Sequence, residues 1–145
     1  MTNSQYIDAY KKTQQSSNSV TSSHEIVRTL MKELINSMQK IVLDIQDDRK
    51  RKQDKFSFSQ DHTEKNVLKK SKNLTKSLSI IYGLQTSLDF DKALEIANNL
   101  FQLYEYCRHE IIRGFSQKIE DGIIKAIDVI RQIMEGWEEI PSLEK

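Results

Sequence analysis

The stretch Ser87-Leu88-Asp89, followed by Ile96-Ala97-Asn98-Asn99-Leu100-Phe101-Gln102-Leu103-Tyr104-Glu105-Tyr106, marks the passage from one predicted helix to the next. Asp89 is a favourable N-cap residue, because its carboxylate accepts a backbone N–H at the positive end of the helix dipole. The segment that follows predicts a helix over residues 90–112, with Gly114 as its C-terminal stop. A connection as short as the one at residue 89 forces the two helices to lie antiparallel.

Two adjacent rows of side chains at helical spacing run along this predicted helix. The inner row is Ala93, Ala97, Leu100, Tyr104, Cys107 and Ile111, and the neighbouring row is Leu94, Phe101, Arg108 and Ile112. Core positions are also expected for the aromatic residues Tyr106 and Trp137, because a buried aromatic ring removes a large apolar area from water.

The segments on either side predict two more helices. In residues 62–88, the positions expected to face the neighbouring helices recur in alternating steps of four and three residues. They are Val67, Ser71, Leu74, Leu78, Ile81, Gln85 and Leu88, and this row is called the seam; Ile80 and Leu84 lie beside it. Residues 117–139 repeat this spacing at Ile119, Ile123, Ala126, Ile130, Ile133 and Trp137. Pro141 prevents the last helix from continuing much further.

The first predicted helix begins near Ser23, because Ser22 and Glu25 have the spacing of a capping box. Its apolar residues form two rows, Val27, Leu30, Leu34 and Ile41, and Met31, Ile35, Met38, Val42 and Ile45. Together they make a wide stripe, so this helix can bury one row and offer part of the other to a groove.

Four capped segments with short connections predict an all-α fold, an antiparallel up-down-up-down four-helix bundle with a short N-terminal tail or cap segment. We expect one domain over residues 1–145, in which residues 1–20 form the tail and residues 47–61 form a basic loop or a frayed extension of the first helix. The loop contains Arg49-Lys50-Arg51-Lys52, Lys55, Phe56 and Phe58, diluted by aspartates. It is interpreted first as a solvated loop, with an acidic partner surface, RNA or a membrane surface as alternatives.

Composition excludes several classes of function. The 22 basic and 21 acidic residues give a net charge of +1, so no global field attracts nucleic acid or an acidic membrane. Cys107 is the only cysteine, which excludes an internal disulfide and suits a reducing compartment. The N-terminus has no basic head with an apolar run, and no segment has the length of a bilayer span. We therefore expect a cytoplasmic protein without membrane insertion.

The order of several short motifs resembles the FliS family of flagellar secretion chaperones over residues 6–140. The similar motifs are Ala9-Tyr10, the helix entry at residues 21–27, Ser87-Leu88-Asp89, the pattern over 97–106, and Trp137-Glu138-Glu139. Ser23 stands where the family usually has proline, and Leu30-Met31-Lys32-Glu33 replaces its leucine-tyrosine-aspartate-glycine.

This resemblance implies a helical bundle that binds the C-terminal region of flagellin, suppresses its premature polymerisation and delivers it for export. An export-apparatus component is a possible further partner. A disordered amphipathic segment gains order by laying its apolar residues into a groove between helices. The candidate partner-binding residues are Ile7, Tyr10, Ile80, Leu84, Leu94, Phe101, Tyr104 and Arg108.

The alternative hypothesis is a histidine phosphotransfer module, which is also a small helical bundle and needs one exposed histidine. His24, in a capping turn, and His109, on the third helix, are its candidates. No Gly-rich phosphate loop, nucleophile elbow or Glu-x-x-His pair on two helices is present. We therefore expect a non-enzymatic binding protein with no catalytic residues, no metal site, no cofactor and no nucleic-acid partner.

Overall fold

The computed structural model describes residues 23–53 and 64–138, which form four α-helices. These are α1 (Ser23–Gln53), α2 (Glu64–Thr86), α3 (Leu94–Gln117) and α4 (Asp121–Glu138). Each helix packs against its neighbour in sequence, α4 packs back against α1, and few contacts cross the α1–α3 diagonal. The predicted all-α, up-down four-helix bundle is therefore confirmed. None of the helices in these two ranges has the length and apolar character needed to cross a membrane.

The core takes apolar side chains from all four helices. The largest fully buried ones are Trp137, Tyr104, Met31, Leu34, Met38, Ile41, Ile81, Leu84, Leu100, Ile111 and Ile123. Burying an aliphatic side chain of this size contributes about 1.5–3 kcal/mol relative to leaving it in water, so this cluster is the main source of stability. Both predicted rows of α1 belong to it, with only Leu30 half-buried.

The buried face of α2 coincides only in part with the predicted seam. Val67 is exposed, whereas Ile80 and Leu84 are buried with Ile81 and Leu88. Ser77 lies fully buried on the same face, and its hydroxyl has no hydrogen-bond partner in the described part of the chain. The predicted seam is therefore buried in the second half of α2 and just beyond it, at Ile81, Gln85 and Leu88, but not at its start, and the inner face there also includes Ser77, Ile80 and Leu84.

Helix α1 continues through residues 47–53, which the sequence pattern had placed in a loop. Asp48 accepts hydrogen bonds from Lys70 of α2 at 2.5 Å and from Lys118, after α3, at 3.0 Å, while Arg49 pairs with Glu120. Burial opposes ionisation of Asp48, but the two lysines outweigh it and lower its pKa. These ion pairs extend the helix beyond its last apolar turn. Residues 54–63, with Lys55, Phe56 and Phe58, lie outside the described residues.

The connection between α2 and α3 depends on Asp89, although not as predicted. Its Oδ1 accepts the backbone N–H groups of Asp91 at 3.0 Å and Lys92 at 3.2 Å. These bonds stabilise one turn that precedes the helix, and α3 itself begins at Leu94. The predicted start at residue 90 is therefore four residues early, because the aspartate caps a turn and not the helix.

Gly114 is not the stop of α3, which continues to Gln117 before Lys118 adopts a left-handed φ of 60°. The N–H groups of Lys118 and Ile119 both donate to the Gly114 carbonyl. A Cβ at Gly114 would lie 2.6 Å from the Ile119 carbonyl oxygen and 2.6 Å from Ile123 Cδ1. The glycine is needed because α3 and α4 approach each other closely here.

His24 and Trp137 join the first turn of α1 to the last turn of α4. His24 Nε2 donates to the Trp137 carbonyl at 2.9 Å, and Trp137 Nε1 donates to the His24 carbonyl at 2.8 Å. The two rings stack with centroids 5.2 Å apart, and both side chains are buried. The core position of Trp137 is confirmed. His24 was expected at the surface of a capping turn and is buried, while Tyr106 was expected in the core and is exposed.

Replacing Trp137 with Phe should destabilise the bundle by about 1 to 3 kcal/mol, because it removes the indole hydrogen bond to the His24 carbonyl and leaves part of the buried indole volume empty. Urea unfolding followed by circular dichroism measures the change. Tyr106→Phe also removes one polar group from an aromatic residue, but at an exposed position, and should stay within about 0.5 kcal/mol of the wild type. Equal unfolding midpoints for the two variants would contradict a stabilising role for the pair.

The same Gly-to-Ala substitution at two positions tests the close approach of α3 and α4, with Gly114 at the contact and Gly83 as the control outside it. Gly114→Ala should lower the free energy of unfolding by about 1 to 3 kcal/mol, because the new methyl group overlaps Ile119 and Ile123. Gly83→Ala, within α2, meets nothing within 4 Å and should raise it by about 0.5 to 1 kcal/mol through helix propensity. Thermal unfolding of both variants distinguishes the cases, and stabilisation by both alanines would be inconsistent with tight packing at Gly114.

Candidate functional site

A groove opens between α2 and α3 beside their connection, and we call it the α2–α3 groove. It has a volume of about 440 Å³ and is lined by Tyr82, Gln85, Thr86, Leu88, Phe90 and Phe101. Phe90 and Phe101 meet edge to face with ring centroids 6.1 Å apart, and Tyr82 is 70% exposed. Three aromatic rings at a solvent-accessible groove provide apolar area that the core does not use.

The local sequence explains why these rings lie at the surface. The turn stabilised by Asp89 carries Phe90 outside both helices, where it contacts Phe101. Phe101 belongs to the row beside the inner face of α3, and Leu94 lies two turns earlier on the same row with 62% of its surface exposed. This row of α3 therefore extends the apolar surface from the α2–α3 groove to the start of the helix.

A polar network borders the groove. Gln85 Nε2 donates to Glu105 Oε1 at 2.9 Å and to the Phe101 carbonyl at 3.4 Å, which ties α2 to α3. Arg108 donates from Nε and Nη2 to the two oxygens of Glu105, each at 3.0 Å. The hydrogen bond from Arg108, followed by the one from Gln85, lowers the pKa of Glu105, and Glu105 raises the pKa of Arg108. At this border of the groove, Glu105 and Arg108 thus form an ion pair whose carboxylate also accepts a hydrogen bond from Gln85.

The structure separates the sequence-predicted site residues into three groups. Phe101 lines the groove, Leu94 lies on the same row of α3, and Arg108 belongs to the rim network. Ile80, Leu84 and Tyr104 are buried in the core, so their side chains support the helices and are not presented at the surface. Ile7 and Tyr10 lie outside the described residues.

Tyr82 and Phe90 line the groove and were missed by the sequence pattern. Both fall outside the apolar rows, Tyr82 on the outer side of α2 and Phe90 in the turn before α3. The available signal was a large aromatic residue at a position where helical periodicity predicts solvent. Such positions are informative when several exposed rings share one groove, because a contiguous apolar surface marks a candidate binding site.

A second groove lies between α1 and α4, on the opposite edge of the bundle, and we call it the α1–α4 groove. Its volume is about 350 Å³, and its lining is Gln39, Val42, Leu43, Ile124, Ile127, Asp128 and Arg131. Leu43 and Ile124 are exposed there. This groove has aliphatic walls and no aromatic ring, so it offers less of the rigid apolar area typical of strong binding sites.

The titratable groups do not form a catalytic centre in the described ranges. His24 is buried and hydrogen-bonded to Trp137, so it is not presented for phosphotransfer, and His109 is exposed on α3. Burial raises the pKa of the Cys107 thiol to about 12, with a smaller effect from Glu110, which keeps it protonated at neutral pH. Among residues 23–53 and 64–138, no three histidine, cysteine or acidic side chains are grouped to hold a metal ion.

Comparison with known proteins gives one consistent family. A sequence model of the family described as flagellar protein FliS matches residues 6–144. The flagellar secretion chaperone FliS of Vibrio cholerae serotype O1 is 29% identical over 136 residues, which covers 93% of this chain and 88% of the relative. The chaperone of the same name from Salmonella typhimurium is 32% identical over 75 residues, 51% of this chain and 56% of the relative. No solved structure matches the chain.

Proposed function

This chain belongs to the FliS family of flagellar secretion chaperones, and we propose that it binds the C-terminal region of flagellin in the cytoplasm. Binding prevents premature polymerisation of flagellin and delivers it to the flagellar secretion apparatus. Proteins of this family are chaperones and not enzymes, so the activity is one of recognition. Membership of this chaperone family therefore favours substrate binding over the alternative hypothesis of a histidine phosphotransfer module.

The α2–α3 groove is the observation that supports this proposal most. An export substrate held before folding is an amphipathic chain that exposes apolar residues, and its recognition needs an apolar surface that the chaperone keeps open to solvent. Tyr82, Phe90 and Phe101 supply that surface beside Leu94. Because the core beneath is already filled, the bundle binds without giving up its own packing.

The geometry favours a helical segment of flagellin lying along the groove. An amphipathic helix presents apolar side chains at i, i+3 and i+4, which match a groove between two antiparallel helices. The rings of Phe90 and Phe101 have few rotatable bonds, so fixing them costs little conformational entropy. Glu105 joins Arg108 to Gln85 of the groove lining, and in this proposal Arg108 orients a polar group of the bound segment.

Calorimetric titration of flagellin's C-terminal peptide tests the groove. Phe101→Ala and Phe90→Ala should each weaken binding by on the order of 2 kcal/mol, about thirtyfold, because each removes an aromatic contact at the centre of the site. Phe90 lies in a turn and is partly exposed, so Phe90→Ala should leave the fold intact.

Two control variants change exposed residues elsewhere. Ile124→Ala removes apolar area from the α1–α4 groove, and Arg49→Ala removes a charge near the end of α1. Both should bind with nearly wild-type affinity. If the protein bound neither the peptide nor full-length cognate flagellin, the chaperone proposal would be rejected. If Ile124→Ala were the only variant to lose affinity for the peptide, the binding site would instead be the α1–α4 groove.

We expect the N-terminal tail to contribute Ile7 and Tyr10, two apolar residues in an otherwise polar segment. In this proposal they cover the α2–α3 groove when no flagellin is bound. Deleting residues 1–15 should then raise the fluorescence of a hydrophobic dye added to the isolated protein. Replacing the same residues by a Gly/Ser segment of equal length is the matched control, and it should give the same increase. Unchanged dye binding in both variants would leave the tail without this role.

A further inference from the structure

The charges of the chain are distributed unevenly along the bundle. Residues 47–52, 67–72 and 117–121 lie at one end, which we call the basic end, because Asp48 joins Lys70 and Lys118 there. These ranges contain eight basic and four acidic residues, which leaves 14 basic and 17 acidic residues for the rest of the chain. A protein with almost no net charge therefore carries a local positive field at this end.

Only some of the charged side chains at the basic end form ion pairs with one another. Asp48 is occupied by Lys70 and Lys118, and Glu120 is occupied by Arg49. Four lysines of the basic end make no ion pair with any residue in the described ranges: Lys50, Lys52, Lys69 and Lys72. All four are exposed. Within residues 23–53 and 64–138 their ammonium groups therefore remain accessible to carboxylates of a partner.

Exposed aliphatic side chains accompany these lysines. Val67 is 54% and Leu68 62% exposed in the first turns of α2, immediately before Lys69. Leu68 and Lys72 are four residues apart, so they lie on one face of the helix, one turn from each other. The bonds from Asn73 to Asp44 and from Lys70 to Asp48 set α1 antiparallel to α2 and bring Lys50 and Lys52 to the same end.

We propose that the basic end is a second docking surface, which binds an acidic protein segment that also carries aliphatic side chains. Carboxylates of the segment pair with Lys50, Lys52, Lys69 and Lys72, and its aliphatic groups cover Val67 and Leu68. Leu68 lies about 21 Å along α2 from Tyr82, at about 1.5 Å per residue. The basic end and the α2–α3 groove can therefore be occupied at the same time, and this site does not depend on what the groove binds.

The mixed chemistry of the basic end favours a protein over the other anionic partners. The described residues of the basic end offer aliphatic side chains and no aromatic ring to stack on bases, and the exposed carboxylates of Asp47 and Asp121 oppose a closely spaced phosphate backbone. A membrane surface is favoured by basic residues on one face of a helix with tryptophan, phenylalanine or leucine on the other. Here Leu68 and Lys72 share one face, as they would in a protein interface where apolar and charged contacts alternate.

The test uses the full-length protein and two helical peptides of glutamate and leucine with the same composition. One peptide places its leucines on one face, and the other scatters them around the helix. Fluorescence anisotropy at low salt should show at least about fivefold tighter binding of the first peptide, and added salt should weaken the binding of both. Equal affinities for the two peptides would mean simple ion exchange and would overturn the proposal.

Variants locate the binding site. Lys69→Glu combined with Lys72→Glu should weaken binding of the one-faced peptide by at least about tenfold, and Leu68→Ser should weaken it several-fold with an unchanged salt dependence. Lys40→Glu combined with Lys125→Glu is the matched control, because it reverses two exposed lysines outside the basic end and should have much less effect. Equal losses in the two double variants would overturn the proposal. So would stronger binding to phosphatidylserine vesicles or to a single-stranded oligonucleotide than to the one-faced peptide.

Discussion

The reciprocal hydrogen bonds between His24 and Trp137 close the bundle, and the other features depend on that closure. Helices α1 and α4 are far apart in sequence, so no short connection holds them together. Burial of apolar area favours their contact but specifies no register, because the hydrophobic effect has no direction. The two hydrogen bonds and the stacked rings specify the register at one end, where each side chain donates to the backbone carbonyl of the other residue. Closure then places the inner faces of all four helices in one core.

A filled core determines what remains for binding. Once Leu84 and Tyr104 are buried, neither can reach a partner while the helices stay packed. The α2–α3 connection leaves one aromatic surface open, where Asp89 fixes the turn and Gln85 joins the two helices. We propose that the bundle therefore receives a flexible substrate as a rigid body, and that the substrate loses most of the conformational entropy on binding.

The sequence predicted the elements well, because strong helical periodicity and short connections leave few alternatives. The burial of Trp137 and the inner row of α3 at Ala97, Leu100 and Cys107 follow directly from spacing. The errors occur where a tertiary contact overrides a local pattern. Ion pairs to Lys70 and Lys118 extend α1, and close helix packing rather than a helix end requires Gly114. Among the candidate site residues, spacing placed Phe101 and Leu94 on a row that lies beside the core, but it could not show that Ile80 and Leu84, expected beside the seam of α2, are buried.

The central claim is that flagellin binds to the outside of an intact bundle, at the α2–α3 groove. Carbene footprinting of the protein, alone and with flagellin's C-terminal peptide, tests this claim directly by reporting the solvent access of individual side chains. The account predicts strong labelling of Tyr82, Phe90 and Leu94 in the isolated protein and a loss of that labelling in the complex. Leu84 and Tyr104 should remain unlabelled in both states. Labelling of Leu84 and Tyr104 in the complex, or unchanged labelling of Tyr82, Phe90 and Leu94, would contradict it.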